Sequence, residues 1–122
     1  MTYRTILTLA VLMLAFAALA AAADVSGKWT AQFDTQIGVQ KYTYEFKVDG
    51  GTLTGKAIST NGEAVIQEGK VSGDDISFVE MMNFDGQPLR ITYKGKIAGD
   101  EIKFTRNVAD MATEELVAKR SK

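Results

Sequence analysis

Past residue 26, polar and apolar residues take turns along most of the chain. Trp29, Ala31 and Phe33 are interleaved with Lys28, Thr30 and Gln32. From Lys41 to Val48 the alternation is unbroken, with Tyr42, Tyr44, Phe46 and Val48 against Lys41, Thr43, Glu45 and Lys47. A period of two belongs to a strand with one buried face. The same period predicts strands from Thr52 to Ser59, Ala64 to Ser72, Ile76 to Phe84, Leu89 to Ala98 and around Ile102, Phe104 and Arg106. Between them stand Asp49-Gly50-Gly51, Asn61-Gly62, Gly73-Asp74, Asp85-Gly86 and Gly99-Asp100. Pairs of this kind make tight hairpin turns because glycine reaches positive φ without a steric penalty. Pro88 falls at a strand edge or start, where its missing N–H does little harm.

One phrase occurs twice: GKVSGDDISF at Gly69–Phe78 and GKIAGDEIKF at Gly95–Phe104. Each copy is a strand end, a Gly-Asp turn and a second strand start, so the repeated unit is a β-hairpin. Leu53-Thr54-Gly55-Lys56 echoes it faintly. Beyond each copy, two residues past its Phe, sits a charge on the apolar face: Glu80 after Phe78 and Arg106 after Phe104.

Seven short strands, an eighth at the C-terminus and tight connections argue for an all-β, antiparallel up-and-down meander that closes into a 7–8 stranded barrel. A two-sheet sandwich is the alternative, but it needs crossover connections that the short loops do not supply. The tail is ambiguous. Thr113-Glu114-Glu115 suits the first turn of a helix, whereas Glu115 to Arg120 suits a last strand that pairs with the first and removes two exposed edges.

The N-terminus reads as a processing signal. Arg4 precedes an uncharged apolar run from Ile6 to Leu19, and Ala21-Ala22-Ala23 supplies small residues for cleavage. Residues 1–23 are therefore expected to be a signal peptide and 24–122 a single barrel domain, secreted or periplasmic and without a stable membrane anchor after cleavage. An uncleaved anchor is the competing reading, since Ile6 to Ala23 is close to the minimum spanning length.

Composition narrows the chemistry. The 122 residues carry 14 Lys and Arg against 15 Asp and Glu, so no basic excess points to nucleic acid. There is no cysteine, which removes disulfides, thiolate metal sites and thiol nucleophiles, and no histidine, which removes the commonest general base and metal ligand. A Ser-His-Asp triad is impossible. Asp74, Asp75, Asp100 and Glu101 sit in separate turns, and a calcium site needs several converging oxygens. No cofactor, metal or catalytic residue is expected.

What remains is Glu80 and Arg106, with one strand between them and backbones roughly 10 Å apart at ordinary strand spacing. They read either as a charge pair that stabilises the barrel end or as a polar anchor in a ligand pocket. A hydrolase centred on Glu80 would need a second carboxylate at catalytic distance. Tyr42, Tyr44, Tyr93, Phe46 and Trp29 face inward and would either fill the core or line an aromatic cleft. Met81, Met82 and Phe84 cannot all face inward, so an exposed apolar residue is expected there.

Gly27-Lys28-Trp29 at the start of the first strand, followed by a barrel meander, resembles the calycin group of lipocalins, fatty-acid-binding proteins and avidins. The resemblance implies that Trp29 closes one barrel end against a late-strand cation, Arg106 by alternation or Arg120. The phrases Leu53-Thr54-Gly55, Gly73 to Phe78 and Tyr93-Lys94-Gly95-Lys96 look like a bacterial family of small secreted β domains. The expected function is a binding module for a small apolar or carbohydrate ligand, with Glu80, Arg106, Tyr42, Tyr44, Tyr93 and Trp29 as ligand-binding residues and no assigned protein partner. The alternative is a structural or protein-interaction domain with a filled core. Whether the barrel interior is open or packed decides between them.

Overall fold

The computed structural model describes residues 23–121. The expected signal peptide lies outside them except for Ala23, whose amide donates to the Gly73 carbonyl at 3.0 Å. Nine strands run through the described residues: β1 (Gly27–Thr35), β2 (Gly38–Asp49), β3 (Thr52–Ser59), β4 (Gly62–Val65), β5 (Gln67–Ser72), β6 (Asp75–Phe84), β7 (Gln87–Ala98), β8 (Glu101–Val108) and β9 (Ala112–Arg120). Every pairing is antiparallel. β4 and β5 pair with opposite ends of β3, so the two form one broken stave. With β9 returning to β1, the meander closes as eight staves. The tail is a strand and not a helix.

The broken stave departs from the single strand expected over 64–72. Ile66 turns its side chain into the core, Glu68 adopts φ 52°, and the register against β6 shifts between Gln67 and Lys70. Alternation carries no mark of such a bulge, because one extra residue is absorbed in the backbone. The two copies of the repeated phrase form hairpins in equivalent register, Val71 opposite Ile76 and Ile97 opposite Ile102.

The interior is filled by its own side chains. Tyr44, Phe46, Phe78, Tyr93 and Phe104 are all buried and pack as one aromatic cluster. Phe78 and Tyr93 stack at 4.2 Å between centroids, and Phe104 meets each edge-on at 5.6 Å. Edge-on and offset contacts are the favoured geometries of aromatic quadrupoles. Leu53, Ile76, Ile91 and Ile102 complete the packing. A domain this small needs these rings for its core.

One end is closed by Trp29. Its ring is fully buried, its Nε1–H donates to the Val25 carbonyl at 2.9 Å, and the Arg120 guanidinium lies 4.4 Å above it. Arg120 also donates from Nη1 to the Ser26 carbonyl and from Nε to Asp100 Oδ1, so it ties the start of the barrel to its last strand. Alternation favoured Arg106 for this place, and the register explains the difference. Trp29 pairs with Arg120, whereas Arg106 pairs with Glu114, six residues away along β9, or roughly 20 Å at strand rise.

β1 and β9 share only two rungs, Trp29–Arg120 and Thr30–Lys119. Continuing that register would set Phe33 against Leu116 and Asp34 against Glu115. Like charges placed opposite one another destabilise a strand pair. The strands part here, and a broad groove of about 1080 Å³ lies along the seam.

Candidate functional site

At the end opposite Trp29, the turns β1–β2, β6–β7 and β8–β9 surround an open mouth. Just below it, β6 and β8 bring Glu80 and Arg106 together, each only 3% exposed. Arg106 donates from Nε to Tyr93 Oη at 2.8 Å, from Nη2 to Tyr42 Oη at 3.0 Å and from Nη1 to Glu114 Oε1. A guanidinium only donates, so both phenol oxygens accept from it and turn their own protons to Glu80. Tyr42 Oη reaches Glu80 Oε2 and Tyr93 Oη reaches Glu80 Oε1, each at 2.8 Å. Tyr44 donates to Tyr93 Oη at 3.0 Å. The direct contact, Arg106 Nη2 to Glu80 Oε1, is longer at 3.8 Å, so the tyrosines carry the pair.

Aromatic faces enclose the guanidinium, with Phe33 at 5.3 Å, Tyr42 at 5.2 Å and Tyr93 at 5.6 Å. Burial pushes the phenols of Tyr42, Tyr44 and Tyr93 well above their ordinary pKa, and the neighbouring Glu80 carboxyl adds to the rise in each. Burial works against the charge on Arg106, but Tyr93, Tyr42 and the Glu114 hydrogen bond outweigh it and raise the guanidinium further. The phenols therefore stay protonated at neutral pH and act as hydrogen-bond bridges rather than bases.

Above this network lies a pocket of about 140 Å³. Ile37, Phe84 and Met111 stand at its rim, 60%, 45% and 66% exposed. Met82, Leu89 and Val108 are among its apolar walls, and Arg106, Glu114, Gln40, Gln36 and Thr35 are its polar lining. Gln40 Oε1 is buried and has no hydrogen-bond partner. The Glu114 side chain is 10% exposed and accepts from Arg106 at Oε1.

Five of the six residues singled out in the sequence thus meet in one network: Glu80, Arg106, Tyr42, Tyr44 and Tyr93. Trp29 is not among them and sits at the closed end. Only Arg106 of the six lines the mouth pocket. Phe84 is the exposed apolar residue expected near the Asp85-Gly86 turn, while Met82 packs against the core. Glu114 and Gln40 were not anticipated. Their signal was alternation: Glu114 is in phase with Leu116, Ala118 and Arg120, and Gln40 with Tyr42 and Tyr44. Of the turn acids, Asp75 pairs with Lys96 and Asp100 with Arg120. No group of three metal-ligating side chains occurs among the described residues.

Fold and site together define an eight-staved antiparallel barrel with a packed interior, one end sealed by a Trp–Arg pair and the other floored by an Arg–Glu–Tyr network. Compared with protein-family models, curated proteins and solved structures, the chain matches none of them.

Proposed function

We propose that this protein is a secreted or periplasmic binding module of calycin-like build that takes a small, largely apolar ligand at the barrel mouth, without catalysis. The observation that carries this reading is the mouth pocket itself, where an apolar wall of Met82, Leu89 and Val108 descends to a polar floor at Arg106, Glu114 and Gln40. Concave apolar sites with a few converging polar groups are the usual form of small-molecule sites. The interior is packed, as the structural or protein-interaction alternative expected, so the binding reading rests on the rim pocket alone. The lining favours an apolar body over a carbohydrate, because Tyr42, Tyr44 and Tyr93 are buried in the core and Phe84 is left as the pocket's one aromatic.

A second reading has its own observation. Ile37, Phe84 and Met111 are exposed on three separate turns around one opening. Exposed apolar groups gathered in this way also suit a protein partner. Titration with a panel of lipid-like and sugar-like fragments, followed through the backbone amide NMR spectrum, separates the two. The ligand reading expects saturable shifts at Gln40, Arg106 and Met111. It is wrong if no fragment moves those amides, and concentration-dependent broadening of the same amides without any fragment would favour the protein partner.

A further inference from the structure

Two acceptors of the pocket floor stand out, one on Gln40 and one on Glu114. Gln40 Oε1 is buried and unpartnered. Glu114 uses Oε1 for Arg106, and among the described residues its Oε2 has no donor. Each nitrogen of Arg106 already has a partner: Nε on Tyr93, Nη2 on Tyr42 and Nη1 on Glu114. A guanidinium has five N–H groups, so one on each of Nη1 and Nη2 is left over, and the case for a donor ligand rests on the Gln40 and Glu114 oxygens and on charge.

Charge argues the same way. One guanidinium stands between two carboxyl groups, Glu80 at 3.8 Å and Glu114 in direct contact. In their charged forms these count one positive against two negative. An incoming carboxylate would be a third negative group, and an incoming ammonium would even the count. Above the floor, Met82, Leu89, Ile91 and Val108 offer hydrocarbon, so the charged group must end a short apolar chain. About 140 Å³ equals the share of roughly five waters at ~30 Å³ each, enough for a head group and four or five carbons.

We propose that the mouth pocket recognises a short aliphatic primary amine, with its ammonium donating to Gln40 Oε1 and Glu114 Oε2. The proposal rests on the ligand-binding reading of the mouth and names the chemistry of that ligand. A longer chain continues outward over Ile37, Phe84 and Met111, which are exposed in line with the opening.

The test compares pentylamine, pentanol and hexanoate at neutral pH by amide NMR titration of the full protein. Charge-assisted hydrogen bonds are about twice as strong as neutral ones, so pentylamine is expected to bind roughly tenfold tighter than pentanol, with hexanoate the weakest. Shifts should centre on Gln40, Glu114 and Met111. Gln40→Leu removes one acceptor without touching any hydrogen bond to Arg106, and it should narrow the gap between pentylamine and pentanol. Glu114→Gln should narrow it too, and if that variant does not fold, the Gln40 comparison stands alone. Equal or tighter binding of pentanol or hexanoate at the mouth overturns the ammonium assignment and leaves the ligand-binding reading in place. If none of the three moves the mouth amides, both are wrong.

Discussion

Removing Arg106 while leaving its partners tests whether the buried network acts as one unit. Arg106→Met keeps an apolar stem in the space but withdraws the guanidinium donors to Tyr42, Tyr93 and Glu114, and it strands Glu80 at 3% exposure. Breaking a buried ion pair from one side costs about 3–5 kcal/mol, because the remaining charge is uncompensated. Domains of this size hold about 5–15 kcal/mol in all, so the variant should fold but with a sharply reduced margin. Glu80→Gln in the wild-type background leaves one phenol without its acceptor and removes a carboxyl 3.8 Å from the guanidinium. A lost hydrogen bond to a charged group costs about 1.5–3 kcal/mol. In the Arg106→Met background the sign reverses, since Glu80→Gln then removes an unpaired buried charge. The double variant should be more stable than Arg106→Met alone, with a coupling of about 2 kcal/mol or more. Urea unfolding of the four proteins, with stabilities extrapolated linearly to water, measures this cycle. Additive costs, or an Arg106→Met loss under about 1 kcal/mol, would refute the argument that the tyrosines bind the two charges into one network.

The buried phenols give an alkaline signature. Their folded pKa values lie above the unfolded value near 10, so the unfolded chain binds fewer protons once the pH passes 10 and stability falls from there upward. Each phenol contributes a slope of up to about 1.4 kcal/mol per pH unit, and tyrosinate absorbance from Tyr42, Tyr44 and Tyr93 should appear only together with unfolding. Early, graded ionisation in the folded state would contradict the burial argument. Gly55 takes φ +142°, and an added Cβ would lie 1.8 Å from the Glu45 carbonyl oxygen. Gly55→Ala should therefore cost about 3 kcal/mol or more in a denaturant melt, while Gly51→Ala, with its nearest contact at 3.3 Å, serves as the mild comparison. Arg120→Ala removes the cation over Trp29 and the donors to Ser26 and Asp100. A loss of about 2–3 kcal/mol is expected, read as a drop of roughly 10–20 °C in Tm for a domain of this length.

The staves were legible because each has one wet and one dry face, and period two survives even where single residues break it. The turns were legible because their Gly and Asp residues answer a backbone need. The height of a side chain in the barrel was not legible. Arg106 and Arg120 both point inward by alternation, and only the β8–β9 and β1–β9 registers show which one reaches Trp29. Register depends on pairing between distant segments, which no local pattern states. Glu114 was hidden for a related reason. A carboxylate at an inward position looks like an error in a strand and a natural opening to a helix, until Arg106 is seen opposite it. The bulge at Ile66 to Glu68 was invisible because its cause is a backbone angle at a residue type with no preference for it.

The two-rung seam leaves most of β1 and β9 without a ladder between them. The Ser121 amide reaches the Lys28 carbonyl and the Arg120 amide reaches Asp100, which fixes the direction of every second peptide along both strands. Beyond the paired rungs, Gln32 and Asp34 on β1 and Val117, Glu115 and Thr113 on β9 aim their amides across the gap, while Ala31, Phe33, Leu116 and Glu114 aim theirs into full ladders with β2 and β8. Hydrogen exchange should therefore draw a comb along each strand, fast and slow teeth alternating. The clasp at Trp29 and Arg120 lies at the paired end of the seam, below the point where the strands part. The lips near Thr35 and Ala112 can then widen without breaking a single rung between β1 and β9.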